Sequence, residues 1–442
     1  MFKPLYGVIG SVLLAAAMWH WVQDVAIAHQ QTESAALGIP RGNLSDLYPR
    51  WLGARELWLH RRDPYGADIT REIQIGYYGR PIDPSRPNDP KDQQGFAYPV
   101  YVVFLLAPTL DWPFPVVQRV FIGVLVFLTA ASVPWWLEAL GWRLSMTARL
   151  TWIVLTLGCF PAIQGFKLQQ LTLLVAALLA LSMCFVSLRR FVWAGILLAI
   201  ATIKPQLAVL PAVWLCIWVL GNWRERQRLF WSFAASMGVL FVASERLLRG
   251  WIHKFGAASA AYYEYTGGGR SVLDVLLTPT WGRIASVLVV AALVALLWRL
   301  RRAAEGTADF HWAMALVMAT TLIVIPMFAP YNQMLLIPAV MVLVRAIREL
   351  WNANRVFRLL VAVTALAVAW PWIAASLLVI ALVLLPGPVV QKAWALPIYT
   401  SIAIPATVLA MLVAGRSFLR RECADEGEKN PSPVLRQGAA SE

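Results

Sequence analysis

The acidic residue Asp46 lies in a segment whose other residues are mostly basic or apolar. The segment reads NLSDLYPRWLGARELWLHRRDPYGADI and covers residues 43–69. A carboxylate at the mouth of a membrane cavity can act as a general base on a hydroxyl group. A plainer interpretation is that Ser45 or Asp46 caps a helix over residues 49–62. That amphipathic helix would lie in the membrane interface and carry Arg50, Arg55, Arg61 and Arg62.

A lysine, Lys204, interrupts the apolar sequence directly before Pro205. The apolar run in front of it, Phe191–Ile203, forms a helix of only about 20 Å, whereas the apolar core of a bilayer is about 30 Å thick. Lys204 therefore lies below the membrane surface unless its side chain snorkels outward. An ionisable residue at that depth is a functional candidate, and a lysine in a sunken cavity is suited to binding a phosphate.

The segment GFKLQQLTLL, residues 165–174, is a polar strip between two apolar runs. Its polar side chains are Lys167, Gln169, Gln170 and Thr172. Two interpretations stay open: an ordinary external turn, or a strip that lines a donor site at the membrane surface.

Two further loops carry weaker signals. Gly267–Gly269, with Arg270 and Ser271, is suited to cradling an anion, although a lone glycine run is weak evidence and is more typical of a flexible loop. In FAPYNQ, residues 328–333, Asn332 and Gln333 either hydrogen-bond a sugar or cap the next helix.

The composition indicates that a bilayer surrounds the elements which position these residues. The chain has 442 residues, of which 59% are hydrophobic and 14% charged, and its mean hydropathy is +0.62. Soluble domains carry about 25% charged residues. Apolar runs near 20 residues suit spanning helices and are too long for barrel strands. We therefore predict an all-α, polytopic integral membrane protein.

The apolar runs predict about twelve spanning helices. They cover approximately residues 5–27, 115–139, 150–166, 168–188, 191–204, 206–221, 229–248, 283–300, 311–328, 332–347, 356–385 and 396–415. The run 356–385 contains Pro371 and is interpreted as one kinked span rather than two. The piece 97–110 is too short to cross and is interpreted as a juxtamembrane or re-entrant helix.

This map divides the chain into six parts. They are a first transmembrane helix (1–27), an external module (28–114), a helical core (115–248), an external loop (249–282), C-terminal spans (283–415) and a cytoplasmic tail (416–442). Basic clusters such as Arg189–Arg190 and Arg299–Arg302 fall on one side if the runs alternate. The positive-inside rule places that side, and both termini, in the cytoplasm of a plasma (inner) membrane protein.

Charge and motifs exclude several function classes. The net charge of +14 arises from short basic loops, which orient a membrane protein, so it does not indicate nucleic-acid binding. The sequence has no Walker loop, no DxD pair in the external module and no metal-ligand spacing among its four cysteines. We predict no metal site, no cofactor and no structural disulfide. A lipid-phosphate donor then fits a site that opens to the membrane.

The order of these segments resembles the family 87 glycosyltransferases of the GT-C superfamily, which include polyprenol-phosphate-mannose-dependent mannosyltransferases. An early external Asp is followed by DPY (63–65), FAYPVY (96–101), QQLTLL (169–174) and IKPQ (203–206). The family has a Gly-Gln pair where this sequence has Gln169-Gln170, so the glycine of the pattern is replaced by Gln169. The sequence departs from the pattern again at Ala329–Asn332, which lacks the Ser-Pro start and the late His or Asp.

The resemblance implies an inverting transfer from a polyprenyl-phosphate sugar to a lipid or glycan acceptor on the external face, with mannose the favoured sugar. Asp46 matches the expected base, and Lys204 matches the lysine near the donor phosphate, with Lys167 and Arg50 as further phosphate contacts. The residues assigned to donor or acceptor binding are Asp63, Tyr65, Tyr98, Gln169, Gln170, Thr172, Gln206, Arg270, Tyr331 and Asn332.

Two other functions remain open. A lipid or sugar-lipid transporter predicts charged residues along the middle of several helices, whereas the charges here cluster at run ends. A non-catalytic protein of envelope assembly would tolerate changes of Asp46 and Lys204 together, which an enzyme would not.

Overall fold

The computed structural model describes residues 3–266 and 268–419, and every regular element in these residues is a helix. The helices are α1 (Lys3–His20), α2 (Ala28–Leu37), α3 (Tyr48–His60), α4 (Ala67–Tyr78), α5 (Val102–Leu106), α6 (Phe114–Ala139), α7 (Met146–Leu157), α8 (Phe160–Leu168), α9 (Leu171–Ser187), α10 (Phe191–Ala201), α11 (Pro205–Gly221), α12 (Trp223–Leu247), α13 (Trp251–Tyr265), α14 (Val272–Leu276), α15 (Pro279–Leu300), α16 (Ala308–Val324), α17 (Ile337–Arg345), α18 (Ile347–Ala353), α19 (Arg355–Leu384), α20 (Gly387–Gln391) and α21 (Ala403–Ala414). The predicted all-α class is confirmed.

The lengths and composition of the helices support a multi-pass membrane protein. Five helical stretches in the described residues are long and apolar enough to cross a bilayer, or six if the bent pair α7–α8 counts as one span. Four more apolar helices have 10–17 residues, namely α9, α10, α11 and α16. The count of twelve is not reproduced in the described residues and stays a prediction. Four of the predicted runs fold into apolar helices of 10–17 residues, the run 229–248 lies in α12, which is not among the candidate spans, and the run 332–347 is a 3-10 helix followed by the nine residues of α17.

Several predicted runs end elsewhere than the apolar pattern suggests. The first helix does not stop at residue 27: a π-helical turn, Trp21–Ile27, leads directly into α2, so the helical stretch reaches Leu37. The run 150–166 is two helices bent by 53°. The run 332–347 begins as a 3-10 helix, Pro330–Leu336. The run 356–385 is one continuous helix, α19, with Pro371 inside it, as predicted.

Helix α3 of the external module is covered by the rest of the protein, whereas the amphipathic pattern of residues 49–62 predicts a helix with one face open to solvent. Most of α3 is buried, including Arg50, which is 9% exposed. Neither Ser45 nor Asp46 caps the helix, since Leu47 is the N-cap and makes no side-chain cap bond. Gly53 permits the close packing, because a Cβ there would lie 2.4 Å from the Phe96 ring. The piece 97–110 forms the short, largely buried α5 and a 3-10 turn, consistent with a segment that does not span.

Helix α9 forms the middle of the core and separates two polar regions. It packs against α6 and α10, and 13 of its 17 residues are buried. Beyond its C-terminal end, Arg189 pairs with Glu225 at 2.7 Å and with Glu305 at 3.0 Å. At its N-terminal end lies Gln170. Because α9 has 17 residues, these two regions lie about 25 Å apart along its axis.

Candidate active site

The carboxylate of Asp46 is held between the external module and the start of α9. Its Oδ2 accepts a hydrogen bond from Nε2 of Gln170, and its Oδ1 accepts one from the Tyr77 hydroxyl at 3.2 Å. Its backbone N–H donates to the carbonyl of Leu168 at 2.8 Å. The contacts fix the side chain from two sides and leave it partly exposed, which is the accessibility that a general base needs.

The ammonium group of Lys204 is buried, with the residue 6% exposed, and it has two hydrogen-bond acceptors and one aromatic ring as neighbours. Nζ donates to Gln170 Oε1 at 3.1 Å and to Thr172 Oγ1 at 2.5 Å, and it lies 5.0 Å from the centre of the Tyr331 ring. The Thr172 hydroxyl in turn donates to Asn332 Oδ1 at 3.1 Å. A charge buried this deeply is stable only with such partners.

Gln170 therefore connects Asp46 with Lys204 through a single side-chain amide, which donates to the carboxylate and accepts from the ammonium. We call Asp46, Arg50, Tyr77, Gln170, Thr172, Lys204, Tyr331 and Asn332 the polar cluster. Two helices begin in it, since Gln170 is the N-cap of α9 and Lys204 the N-cap of α11. Unpaired N–H groups at helix starts favour an anion, so the cluster is suited to a phosphate group.

A second buried cation, Arg50, stands beside Asp46 from α3. Its guanidinium lies 4.5 Å from the centre of the Tyr98 ring, and its Nε atom has no hydrogen-bond partner. Burial lowers the pKa of Arg50, but interactions with Tyr98 and Asp46 more than offset this effect, so the net change is upward. Arg50 also interacts electrostatically with Lys204. An under-bonded, permanently charged guanidinium of this kind is a good phosphate ligand.

The turn before α9 explains the missing glycine of the family pattern. Gln169 has φ +49°, in the left-handed region that glycine adopts most easily. Its amide nitrogen donates to the carbonyls of Phe166 and Lys167, each at 2.7 Å, and its Oε1 accepts from Gln118 at 2.9 Å. These bonds hold a non-glycine residue in an unfavourable conformation and turn its side chain away from the cluster.

The structure does not bring all predicted phosphate contacts together. Lys167 points towards the first helix, where Nζ donates to Gln23 at 2.6 Å and lies 4.2 Å from the centre of the Trp19 ring. It is therefore not part of the polar cluster, although it lies three residues before Gln170.

Other predicted binding residues also lie apart from the cluster. Asp63 pairs with Lys254 of α13 at 2.6 Å, and Gln206 is exposed on α11. Arg270 is exposed, and its carbonyl accepts from the N–H of Phe328 at 3.1 Å.

The predicted glycine-rich cradle is also built differently from the expectation. Ser271 forms a capping box with Asp274 at the start of α14, so its hydroxyl serves the fold. Gly267 lies outside the described residues.

The segment 328–333 was expected to bind a sugar or cap the next helix. Gln333 donates to the carbonyl of Ser401 at 2.7 Å, and Asn332 does not cap α17, whose N-cap is Leu336.

Two residues near the cluster were not predicted from the sequence, Tyr77 and Asp92. Tyr77 lies in α4, a helix that was not predicted from the sequence, and only the fold brings its hydroxyl to Asp46. Burial raises the pKa of the Asp92 carboxyl above its ordinary value, although a backbone hydrogen bond from Gln94 and the charge of Arg50 oppose this rise. The feature that marks Asp92 is its raised pKa, which arises from burial and therefore could not be recognised from the sequence.

Metal-binding side chains are not grouped in the described residues. No three or more His, Cys, Asp or Glu residues within 3–266 and 268–419 lie close enough to hold one ion. The charged members of the polar cluster are Asp46, Arg50 and Lys204, and Asp92 interacts electrostatically with Asp46 and Arg50.

The fold and the site together define a multi-pass, all-helical class of membrane protein that holds a carboxylate and two buried cations at one end of its core helix. The family model of glycosyltransferase family 87 matches residues 96–330, just over half of the chain. The chain therefore belongs to glycosyltransferase family 87, a family of GT-C type, and is a membrane glycosyltransferase. No curated protein and no solved structure matches it significantly.

The matched region contains part of the polar cluster. It includes Gln170, Thr172 and Lys204. Asp46, Arg50 and Tyr77 precede it, and Tyr331 and Asn332 follow it. The resemblance found from short motifs is thus confirmed by the family match.

Proposed function

We propose that the protein transfers a sugar, with mannose favoured, from a polyprenyl-phosphate donor to a lipid or glycan acceptor, with inversion at the anomeric carbon. The observation that carries this proposal is the hydrogen-bonded series Asp46–Gln170–Lys204, which sets a carboxylate and a buried ammonium group side by side. A base and a phosphate ligand in one cluster are the two groups that such a transfer needs.

In the proposed mechanism, Asp46 accepts the proton of an acceptor hydroxyl. That oxygen attacks the anomeric carbon from the face opposite the phosphate and forms the new glycosidic bond. The bond between the anomeric carbon and the phosphate oxygen breaks, and its electron pair leaves with polyprenyl phosphate. Tyr77 and Gln170 keep the carboxylate in place through their hydrogen bonds.

Lys204 and Arg50 would stabilise the charge that develops on the departing phosphate. Pre-positioned charges and dipoles of this type usually supply the largest single part of catalysis. The beginnings of α9 and α11 add partial positive charge at the same place. Lys167, Gln206, Arg270 and Asp63 are not needed in this arrangement, because their contacts lie elsewhere.

We further propose that the polar cluster faces the exterior of the plasma membrane and that both termini are cytoplasmic. The basic loops with Arg189 and Arg226 gather beyond the opposite end of α9, where Glu305 pairs with both. The positive-inside rule assigns such loops to the cytoplasm.

The donor can be tested with purified protein in proteoliposomes. Tritiated polyprenyl-phosphate mannose and GDP-mannose would be supplied separately, together with a lipid extract of the native membrane as acceptor. We expect label to reach the acceptor only from the lipid-linked donor, with release of polyprenyl phosphate. Use of GDP-mannose alone, or no turnover of any polyprenyl-phosphate sugar in a panel that includes mannose and glucose, would refute the proposal.

A further inference from the structure

A second hollow lies in the external module, outside the polar cluster. It is a cleft of about 590 Å³ between α4, the segment 81–97 and one face of α13. Ligand pockets commonly measure about 300–1,000 Å³. The polar residues that line it are Tyr65, Thr70, Arg71, Gln74, Gln93 and Tyr265, and Phe96 adds a further aromatic ring.

The lining suits a sugar chain better than a lipid tail. Amides and hydroxyls both donate and accept hydrogen bonds, as sugar hydroxyls require, and aromatic rings pack against the flat apolar faces of sugars. Arg71 and Gln93 are exposed, and no lining residue belongs to a candidate span. By contrast, a larger groove on α12 is lined mainly by apolar side chains such as Phe104, Val239 and Val242.

The shape of the cleft is fixed by hydrogen bonds that are already formed. The Gln74 side chain of α4 binds the segment 81–97 near both of its ends. Its Nε2 donates to the Gln93 carbonyl, and its Oε1 accepts from the Ile82 N–H, each at 3.2 Å. Gln94 is held at φ +54° because the Asp92 carboxylate accepts from its backbone N–H and its amide, each at 2.9 Å. A preformed site loses less ordering entropy when a ligand binds.

The inner wall of the cleft is also the outer support of the polar cluster. The Tyr65 hydroxyl donates to the Tyr98 backbone carbonyl at 2.6 Å, and the guanidinium of Arg50 lies over the Tyr98 ring. On α13, Tyr265 packs edge-on against Tyr262 at 5.4 Å, and Tyr262 interacts electrostatically with Arg50. The cleft and the polar cluster are therefore neighbours, with Tyr98 and Tyr262 in contact with residues of both.

We propose that this cleft binds the inner sugars of an oligosaccharide acceptor, so that its terminal hydroxyl reaches Asp46. The inference rests on the proposed function and makes it more specific: the acceptor is a glycan of several sugars rather than a bare lipid or a single sugar. Arg71, Gln93 and Tyr265 then determine acceptor preference without taking part in the chemical step.

The test compares octyl mannoside with octyl mannotrioside as acceptors, using polyprenyl-phosphate mannose as donor. The double variant Arg71→Ala/Gln93→Ala removes two exposed side chains, so the fold should be unaffected. We expect the wild type to prefer the trioside and the variant to lose about tenfold in kcat/KM for it, as expected for two hydrogen bonds. Donor KM should not change. Arg86→Ala, an exposed arginine of the same module outside the cleft, is the matched control.

A binding measurement separates this inference from the proposed function. Saturation-transfer NMR with free mannotriose should show sugar contacts in the wild type and the Arg86→Ala control, and weaker contacts in the double variant. Sugar contacts of this pattern without any transfer would refute the proposed donor chemistry but support the cleft. Transfer with no preference for the trioside, or with a preference that the double variant retains, would overturn the cleft proposal.

Discussion

The substitution Asp46→Asn tests the proposed base most directly. Asparagine has the same shape, and its amide oxygen can still accept from Gln170, while Tyr77 can turn its hydroxyl to accept from the new amide nitrogen. The packing is therefore kept and only the proton acceptor is lost. General-base catalysis contributes about 10²–10⁴ in rate, which corresponds to about 2.7–5.4 kcal/mol of transition-state stabilisation.

The same change should act on donor binding in the opposite direction. Asp46 is an anion beside the two cations proposed to hold the donor phosphate, and it interacts with both Arg50 and Lys204. Removing its charge removes repulsion of the phosphate. We therefore expect kcat to fall at least a hundredfold while the donor binds as tightly as before or more tightly.

The assay measures initial rates of transfer from tritiated polyprenyl-phosphate mannose, and equilibrium binding of the donor to the purified protein. Asp83→Asn is the control, because Asp83 lies in the same external module but bonds to Ser85. A rate within tenfold of the wild type would remove Asp46 as the base. Loss of donor binding in parallel with the rate would show that Asp46 supports the fold of the cluster instead.

Three further predictions concern the neighbours of Asp46. Lys204→Met leaves Gln170 Oε1 and the Thr172 hydroxyl without their hydrogen-bond donor and removes the proposed partner of the donor phosphate. We therefore expect kcat/KM for the donor to fall about 10²–10³-fold. A loss below tenfold in steady-state kinetics would contradict this role of Lys204. Gln169→Gly should keep most of the activity, because glycine adopts φ +49° without strain; inactivity of a variant that still folds, judged by gel filtration, would show that the Gln169 side chain acts in the reaction. The pKa of Asp92 is raised in the folded protein, so the stability it contributes is present below about pH 4 and is lost as the pH rises through the folded pKa. The Tm difference between Asp92→Asn and the wild type should therefore shift in favour of the variant from pH 4 to pH 7, and a flat or opposite trend in thermal unfolding would contradict the raised pKa.

The sequence by itself determined the class of protein and two central residues. Long apolar runs with few charges require a bilayer, and a helix satisfies its backbone hydrogen bonds within one segment, so the all-α class follows from local composition. Lys204 was recognisable because an ionisable residue stands out in an apolar run, and Asp46 because it is a carboxylate near several arginines early in the external module. The order of the short motifs was enough to indicate the family, which the family match confirmed.

Only the tertiary structure decided which polar neighbours meet. Gln169 and Gln170 are adjacent in sequence, yet the left-handed backbone at Gln169 turns one side chain towards Gln118 and the other towards Asp46. Lys167, in the last turn of α8, instead donates to Gln23 of the first helical stretch. Side-chain direction at a turn depends on backbone angles and on distant packing partners, and neither is encoded in a local pattern.

The same limit applies to the external module. The apolar pattern of residues 49–62 suggested a helix lying on the membrane surface, but Gly53 lets Phe96 cover it, and Arg50 becomes buried beside Tyr98. Burial of a charged face can be recognised only when the covering segment is known. The polar cluster is thus assembled from segments far apart in the chain, each of which is an ordinary turn or helix start when it is considered alone.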